Sequence, residues 1–249
     1  MLNEFVLTFD LDWAPDFVID KLSNFLIKKQ IKATFFITHD SRCVRNLLEH
    51  KEIFECGLHP NFFPNSSQGN DENEVMNNLI KIIPDSKIIR THALLQSTYL
   101  YRNLVKNFNL KIDVSLLLPD APNLQPHTIH FDQKNDELVR VPFFWEDDIE
   151  MYNPQKSFNI KNERYHVNGL KIFNFHPIHI FLNSNNMENY EKLKTKKPLL
   201  SFEHEEIKPF INEDLPGIND FFKELCDYIL NEQRQSYTIS EIIKKWKGE

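Results

Sequence analysis

The segment Phe5–Asp16, FVLTFDLDWAPD, constrains this chain more than any other. Its first residues favour an extended strand, which runs into two carboxylates, Asp10 and Asp12. Residues two apart on a strand point the same way, so both acids are expected on one face at the strand's end. Carboxylates that close repel each other unless a proton or a cation sits between them. Trp13 and Ala14 then break the pattern, and Pro15 suits the first turn of a helix running to about Lys29. A strand that ends in acids and turns into a helix is how α/β sheets and barrels present reactive groups. Alone, such a pair reads equally well as a solvated strand end and a helix cap, so its neighbours decide.

Strand-then-helix alternation continues along the chain. IKATFFITHDS is a nearly continuous apolar run, expected as a strand buried on both faces, and Ser41 can cap a helix to about Lys51. A strand over Ile53–Leu58 delivers His59, where Pro60 halts the pairing. Residues Asn65–Asn73 read as a loop and the run to about Ile83 as a helix. SKIIRTHALLQS supplies a short strand carrying Arg90 and His92, followed by a helix to about Phe108, and LKIDVSLLLP a strand carrying Asp113 and Ser115. Pro119–Asp136 lacks periodicity, with a hairpin expected around Thr128–Asp132. ELVRVPFFWEDDIEM predicts a strand ending in Glu146, Asp147 and Asp148, and Lys171–Phe175 a last strong strand before His176 and His179. Asn183–Lys197 reads as a polar loop, Gly217–Glu232 and Ile239–Lys247 as helices, and Ser236–Thr238 as a final short strand with Ser240 as a cap. About seven strand–helix units predict an α/β fold whose parallel sheet is closed or nearly closed into a barrel. No composition shift divides the chain, so residues 1–249 are expected to form a single domain.

Composition removes several function classes. Five glycines, in neither a GxGxxG nor a P-loop pattern, exclude glycine-rich phosphate loops. A net charge of −7 argues against nucleic acid or an anionic membrane as partner. Cys43, Cys56 and Cys226 have no CxxC spacing and read as reduced, buried thiols. With neither a signal-like N-terminus nor an apolar run long enough to span a bilayer, the expectation is a soluble, cytoplasmic protein.

Most predicted strands end in a residue capable of chemistry: Asp10 and Asp12, His59, Arg90 and His92, Asp147, and His176. Each histidine singly is more often an ordinary half-buried residue, but in a parallel barrel all the C-terminal strand ends meet on one face. Aspartates and histidines gathered from separate strands suit a zinc-like divalent ion, which with an open position would hold and acidify a water.

These residues also carry a family resemblance. TFDLD, ECGLHPNF, RTHAL, VPFFWEDD and IFNFHP resemble, in order, the five motifs of the NodB-homology polysaccharide deacetylases, carbohydrate esterase family 4. The likeness covers about residues 5–180 plus the closing YTISEIIKKW, and is greatest to a branch found in lipopolysaccharide O-antigen biosynthesis. It implies a distorted, NodB-like (β/α)7-type barrel of mostly parallel strands. It further implies a metal-dependent hydrolase that removes an N-acetyl or N-formyl group from an amino sugar or glycan. On that resemblance Asp10 is the general base, Asp12 and His59 are metal ligands, and Arg90 holds Asp10 ionised and oriented. His176 is the general acid, oriented by Asp147, with Asp148 the near alternative. One divalent ion is implied, zinc first, with cobalt, nickel or manganese as alternatives.

The chain departs from the family pattern. The second motif's usual histidine four residues on is Phe63 here, and His92 stands where the arginine motif has proline. His92, Asn61 or an added water is left as the third ligand, with His92 preferred. The acids after Trp145 do not follow the family's Asp-Trp order. His179 reads as strand or loop structure. Two rivals remain: a haloacid-dehalogenase-like magnesium phosphatase, which FDLD also resembles but which would leave His59 and His176 without a part, and an inactive sugar-binding protein on the same barrel.

Overall fold

In the computed structural model, which describes residues 1–131, 136–233 and 235–249, β1 (Phe5–Asp10) turns into α1 (Asp16–Lys29). The alternation continues through β2 (Ala33–Ile37), α2 (Arg42–Glu49), β3 (Phe54–Leu58), α3 (Glu72–Ile82), β4 (Ile88–Ile89), α4 (Thr98–Phe108) and β5 (Ile112–Asp113). A hairpin of β6 (His127–His130) and β7 (Glu137–Arg140) leads to β8 (Trp145–Glu146), α5 (Asp147–Tyr152) and β9 (Lys171–Phe175). Helices α6 (Pro177–Leu182), α7 (Glu188–Lys194), α8 (His204–Ile207), α9 (Ile218–Tyr228) and α10 (Ile239–Lys247) complete the chain.

The strands lie in the order β6-β7-β5-β4-β3-β2-β1-β9-β8. Every pairing is parallel except β6 with β7. A parallel bridge between Leu117 and Phe143 ties the run ahead of β8 back to the segment after β5, so the sheet curls round on itself. This is the barrel of mostly parallel strands that the alternation predicts, with the β6 hairpin added at one edge.

Strand alternation sorts the side chains into two apolar regions. From β1, Leu7 and Phe9 join the layer between sheet and helices, with Phe35, Phe173, Phe175 and Phe222. Val6 faces inward with Phe36, Phe143 and Ile172, and α10 adds Ile239, Ile242 and Ile243 to this inner set. Each fully buried phenylalanine contributes about 1.5–3 kcal/mol over its exposed state. Helix α10 covers the end of the barrel where strands begin: Ile239 N donates to Thr34 Oγ1 (3.0 Å) and Ser240 N to Glu55 Oε2 (3.1 Å). The opposite mouth, where strands end, is left to polar side chains.

Local details differ from the sequence expectations for identifiable reasons. Pro15 is the residue before α1 rather than its first turn, with an extended ψ of 150°. Asn183–Lys197 contains a helix, α7, reinforced by a Lys192–Glu188 pair one turn apart. Ser236–Thr238 is not a strand; Ser236 Oγ accepts from Lys32 N (2.7 Å), and Thr238, not Ser240, caps α10 in a reciprocal box with Glu241. The long strand predicted over ELVRVPFFWEDD is two short ones parted at Pro142, which has no N–H to give to a neighbour. The hairpin expected at Thr128–Asp132 exists as β6 with β7, although Asp132 lies outside the described residues. Cys43, Cys56 and Cys226 are unpaired, the first and last buried and Cys56 half-buried.

Candidate active site

Five strand ends, those of β1, β3, β4, β8 and β9, build the site. Asp10 is the last residue of β1 and faces inward, whereas Asp12 lies beyond the strand in a tight turn. There Asp12 and Trp13 both take positive φ (41° and 55°), and Ala14 N donates to Leu11 O (2.8 Å). Left-handed backbone is costly for a tryptophan, and Trp13 N is held by Thr38 Oγ1 (3.2 Å). The turn swings the Asp12 carboxylate towards residues delivered by β3 and β4. His59 Nε2 lies 3.1 Å and His92 Nδ1 3.3 Å from Asp12 Oδ1. His176, following β9, places its Nε2 3.6 Å from Asp12 Oδ2. All seven residues predicted from sequence, Asp10, Asp12, His59, Arg90, His92, Asp147 and His176, meet at this one mouth.

Beneath Asp10 is a buried polar frame. Arg90 is wholly buried, its guanidinium 4.4 Å from the ring centroids of both Phe36 and Phe143. Its Nη1 donates to Asp10 Oδ1 and Thr8 Oγ1, both at 3.0 Å, and its Nε to Val114 O (3.0 Å). Asn174 Nδ2 donates to the other oxygen of Asp10 (2.9 Å) and to Glu146 Oε1 (3.1 Å). Both oxygens of Asp10 are therefore fixed. Gly57 allows Phe36 its place under Arg90: a Cβ there would come within 2.7 Å of the Phe36 ring.

On the far side, His176 Nδ1 donates to Asp147 Oδ1 (2.7 Å), and Asp147 Oδ2 accepts from His176 N (2.7 Å). This two-point grip turns Nε2 of His176 outward. Asp148 Oδ1 is 3.7 Å from the same Nδ1, so geometry separates the two acids that sequence left close. Burial disfavours a charged His176, but Asp148, Asp147 and Asp12 around it outweigh that and hold its pKa well above the ordinary imidazole value.

The donor set suits a divalent ion. His59 Nδ1 must donate to Arg90 O (2.8 Å), because a carbonyl only accepts. A neutral His59 then aims the bare lone pair of Nε2 at a carboxylate oxygen, a repulsive contact that a cation relieves. Asp12 Oδ1 is itself buried without a well-aligned hydrogen bond. A tetrahedral zinc with bonds of about 2.0–2.1 Å sets its ligand atoms roughly 3.3 Å apart, close to the spacing of Asp12 from both imidazoles. Burial would raise the Asp12 pKa, yet His59 and His92 bring it well below the usual carboxylate range. Asn61 turns its carbonyl oxygen to Phe63 N (3.0 Å), which leaves His92 the nearer third donor. A cleft of about 650 Å³ opens from this cluster, lined by Asp12, Trp13, Asn61, His92, Tyr190 and Leu199 among others.

Sequence reasoning missed Asn174, the position of Glu146 and the place of His179. Asn174 was findable, since it precedes His176 by two and shares its inward face by strand period. Glu146 is nearly buried, and burial pushes its carboxyl up to about 7. An acid with a raised folded pKa is stabilising while protonated, below about 4.5; that contribution is lost as pH rises through about 7. Glu146→Gln is expected to flatten this part of the stability profile, gaining roughly 3 kcal/mol on the parent between pH 5 and 8 in urea titrations. Parallel pH dependence in both proteins would contradict it.

A structure of a proposed polysaccharide deacetylase involved in O-antigen biosynthesis from Bordetella bronchiseptica is 27% identical, with a TM-score of 0.77 over 90% of this chain and 89% of that one. A family 4 acetyl xylan esterase from Clostridium thermocellum, solved with a cobalt ion, is 13% identical, with a TM-score of 0.49 over 98% of this chain and 91% of that one. No curated protein sequence matches. A family profile matches residues 7–194, a span holding every member of the acid–histidine cluster, and the chain belongs to the WbmS-like polysaccharide deacetylase family.

Proposed function

We propose that this protein is a metal-dependent amide hydrolase, removing an N-acetyl or N-formyl group from an amino sugar or glycan in surface O-antigen biosynthesis. The observation that carries this reading is the buried Asp12 oxygen faced by two imidazole nitrogens, with the His176–Asp147 pair across from it. Residues 1–249 act as one domain. The cytoplasm fits three unpaired cysteines, and no helix among the described residues is long and apolar enough to cross a membrane.

Asp12, His59 and His92 would hold one ion; their nitrogen–oxygen donor set suits zinc first, with cobalt, nickel or manganese as alternatives. When bound, such an ion acidifies water and polarises an acyl oxygen. Asp10, its two oxygens fixed by Arg90 and Asn174, accepts the water's proton as the oxygen bonds to the acyl carbon. His176 gives the proton on Nε2 to the nitrogen as the C–N bond breaks, which releases a carboxylate and a free amine. Asp147 keeps the other proton on Nδ1 and stabilises the ring while it is charged. Trp13 and Tyr190 offer the cleft aromatic faces for a sugar ring.

The test combines metal analysis with acyl release. Purified protein is expected to carry about one equivalent of zinc or a similar ion. Asp12→Ala and His59→Ala should each lower it roughly tenfold or more, and His92→Ala by less. Free and nucleotide-linked N-acetyl- and N-formyl-hexosamines, assayed for acetate and formate, should include a substrate. Metal content untouched by both ligand changes would remove this assignment.

A further inference from the structure

His179 stands one helical turn after His176, on α6, in the sequence His-Pro-Ile-His. It is buried, only 1% exposed, yet its polar atoms are aimed. Nδ1 lies 3.0 Å from Ser184 Oγ, itself buried, and Tyr190 packs edge-on against the ring at 4.6 Å. Nε2 lies 2.9 Å from Asp148 Oδ1. It thus reaches a carboxylate whose side chain is 36% exposed and whose same oxygen stands 3.7 Å from His176 Nδ1.

Asp148 has little else to hold it there. Its Oδ1 forms no well-aligned hydrogen bond, so its contact with His179 Nε2 is a close polar approach, and it is its backbone N–H, not its carboxylate, that bonds to Asp147. A half-exposed aspartate regains rotamer freedom and hydration by swinging outward, unless a fixed partner opposes that. His179 is such a partner, clamped by Ser184, Tyr190 and the short helix. His176 thus faces two carboxylates, one gripping it directly and one parked beside it by a second histidine.

We propose that His179 is a positioning residue: through Asp148 it fixes a second carboxylate beside the His176 ring, so that the ring is held with Nε2 towards the departing nitrogen. This rests on the deacetylase reading and extends it to a second histidine–carboxylate pair. In the step concerned, the C–N bond breaks and its electron pair takes the proton from His176 Nε2. The Nδ1 proton stays on the ring, between Asp147 and Asp148. An ester with a phenolate leaving group needs no such proton.

That difference supplies the test. His179→Leu is expected to lower kcat on the best N-acyl hexosamine about 10–100-fold, with KM and bound metal unchanged. Hydrolysis of 4-nitrophenyl acetate should fall by no more than about threefold, because its leaving group departs unprotonated. His179→Gln, which keeps an N–H near Nε2, should restore most of the loss. Asp148→Asn, at a half-exposed position, should reproduce the amide-selective loss, and adding His179→Leu to it should cost little more. Equal losses on amide and ester, or a loss explained by missing metal or raised KM, would reduce His179 to a structural part. Full amide turnover in His179→Leu would overturn the proposal while leaving the deacetylase reading intact. Wild-type protein that hydrolyses the ester but no N-acyl sugar would overturn both.

Discussion

Replacing His176 with alanine is expected to lower turnover of an N-acyl amino sugar about 10²–10⁴-fold while bound metal stays at the wild-type level. The size of the effect follows from the role: an amide nitrogen leaves poorly unless it is protonated as the bond breaks. The selectivity follows from position. His176 Nδ1 is committed to Asp147 and its Nε2 is 3.6 Å from Asp12 Oδ2, whereas His59 and His92 crowd the other oxygen of Asp12. Losing the imidazole therefore removes a proton donor and leaves Asp12, His59 and His92 in place. Metal analysis beside steady-state kinetics separates this variant from Asp12→Ala, in which both quantities should fall together. Loss of metal in His176→Ala would make His176 a ligand rather than an acid.

Arg90→Ala should be the most destabilising single change, by roughly 3–5 kcal/mol in urea unfolding. The guanidinium is wholly buried between two phenylalanine rings and donates to Asp10, Thr8, Asn174 and a backbone carbonyl. Deleting it strands the Asp10 carboxylate in an apolar interior and leaves a cavity between Phe36 and Phe143. Combining Arg90→Ala with Asp10→Asn should recover part of the loss, since the uncompensated charge is then gone. A cost below about 1 kcal/mol for Arg90→Ala would mean that the site is more hydrated than its packing indicates.

Much of this was legible before any coordinates. Apolar runs at IKATFFI and KIFNF, each with a reactive residue or a capped helix after it, announce buried parallel strands. The order of the motifs gives the series of strand ends, and parallel strands bring such ends to one mouth. The phosphatase alternative suggested by FDLD gives no part to His59 or His176, and both stand against Asp12 in the fold. The choice between Asp147 and Asp148 was not legible, since neighbours in sequence leave a strand end at different angles. Strand period puts Asn174 on the inward face, but its bond to Asp10, 164 residues away, had no signal, and Glu146, its other partner, was read only as part of an acidic cluster.

The chain's own residues determine the barrel class and the cast of acids and histidines, because strand period and apolar runs are local properties that short-range sterics and burial enforce. Only the tertiary structure decides how those residues face each other. The facing of Asp12 by His59 and His176, the phenylalanine sandwich around Arg90 and the second pairing of His179 with Asp148 each join segments far apart in the chain. Such contacts are set by how strands and helices pack, to within an ångström, and no local pattern encodes them.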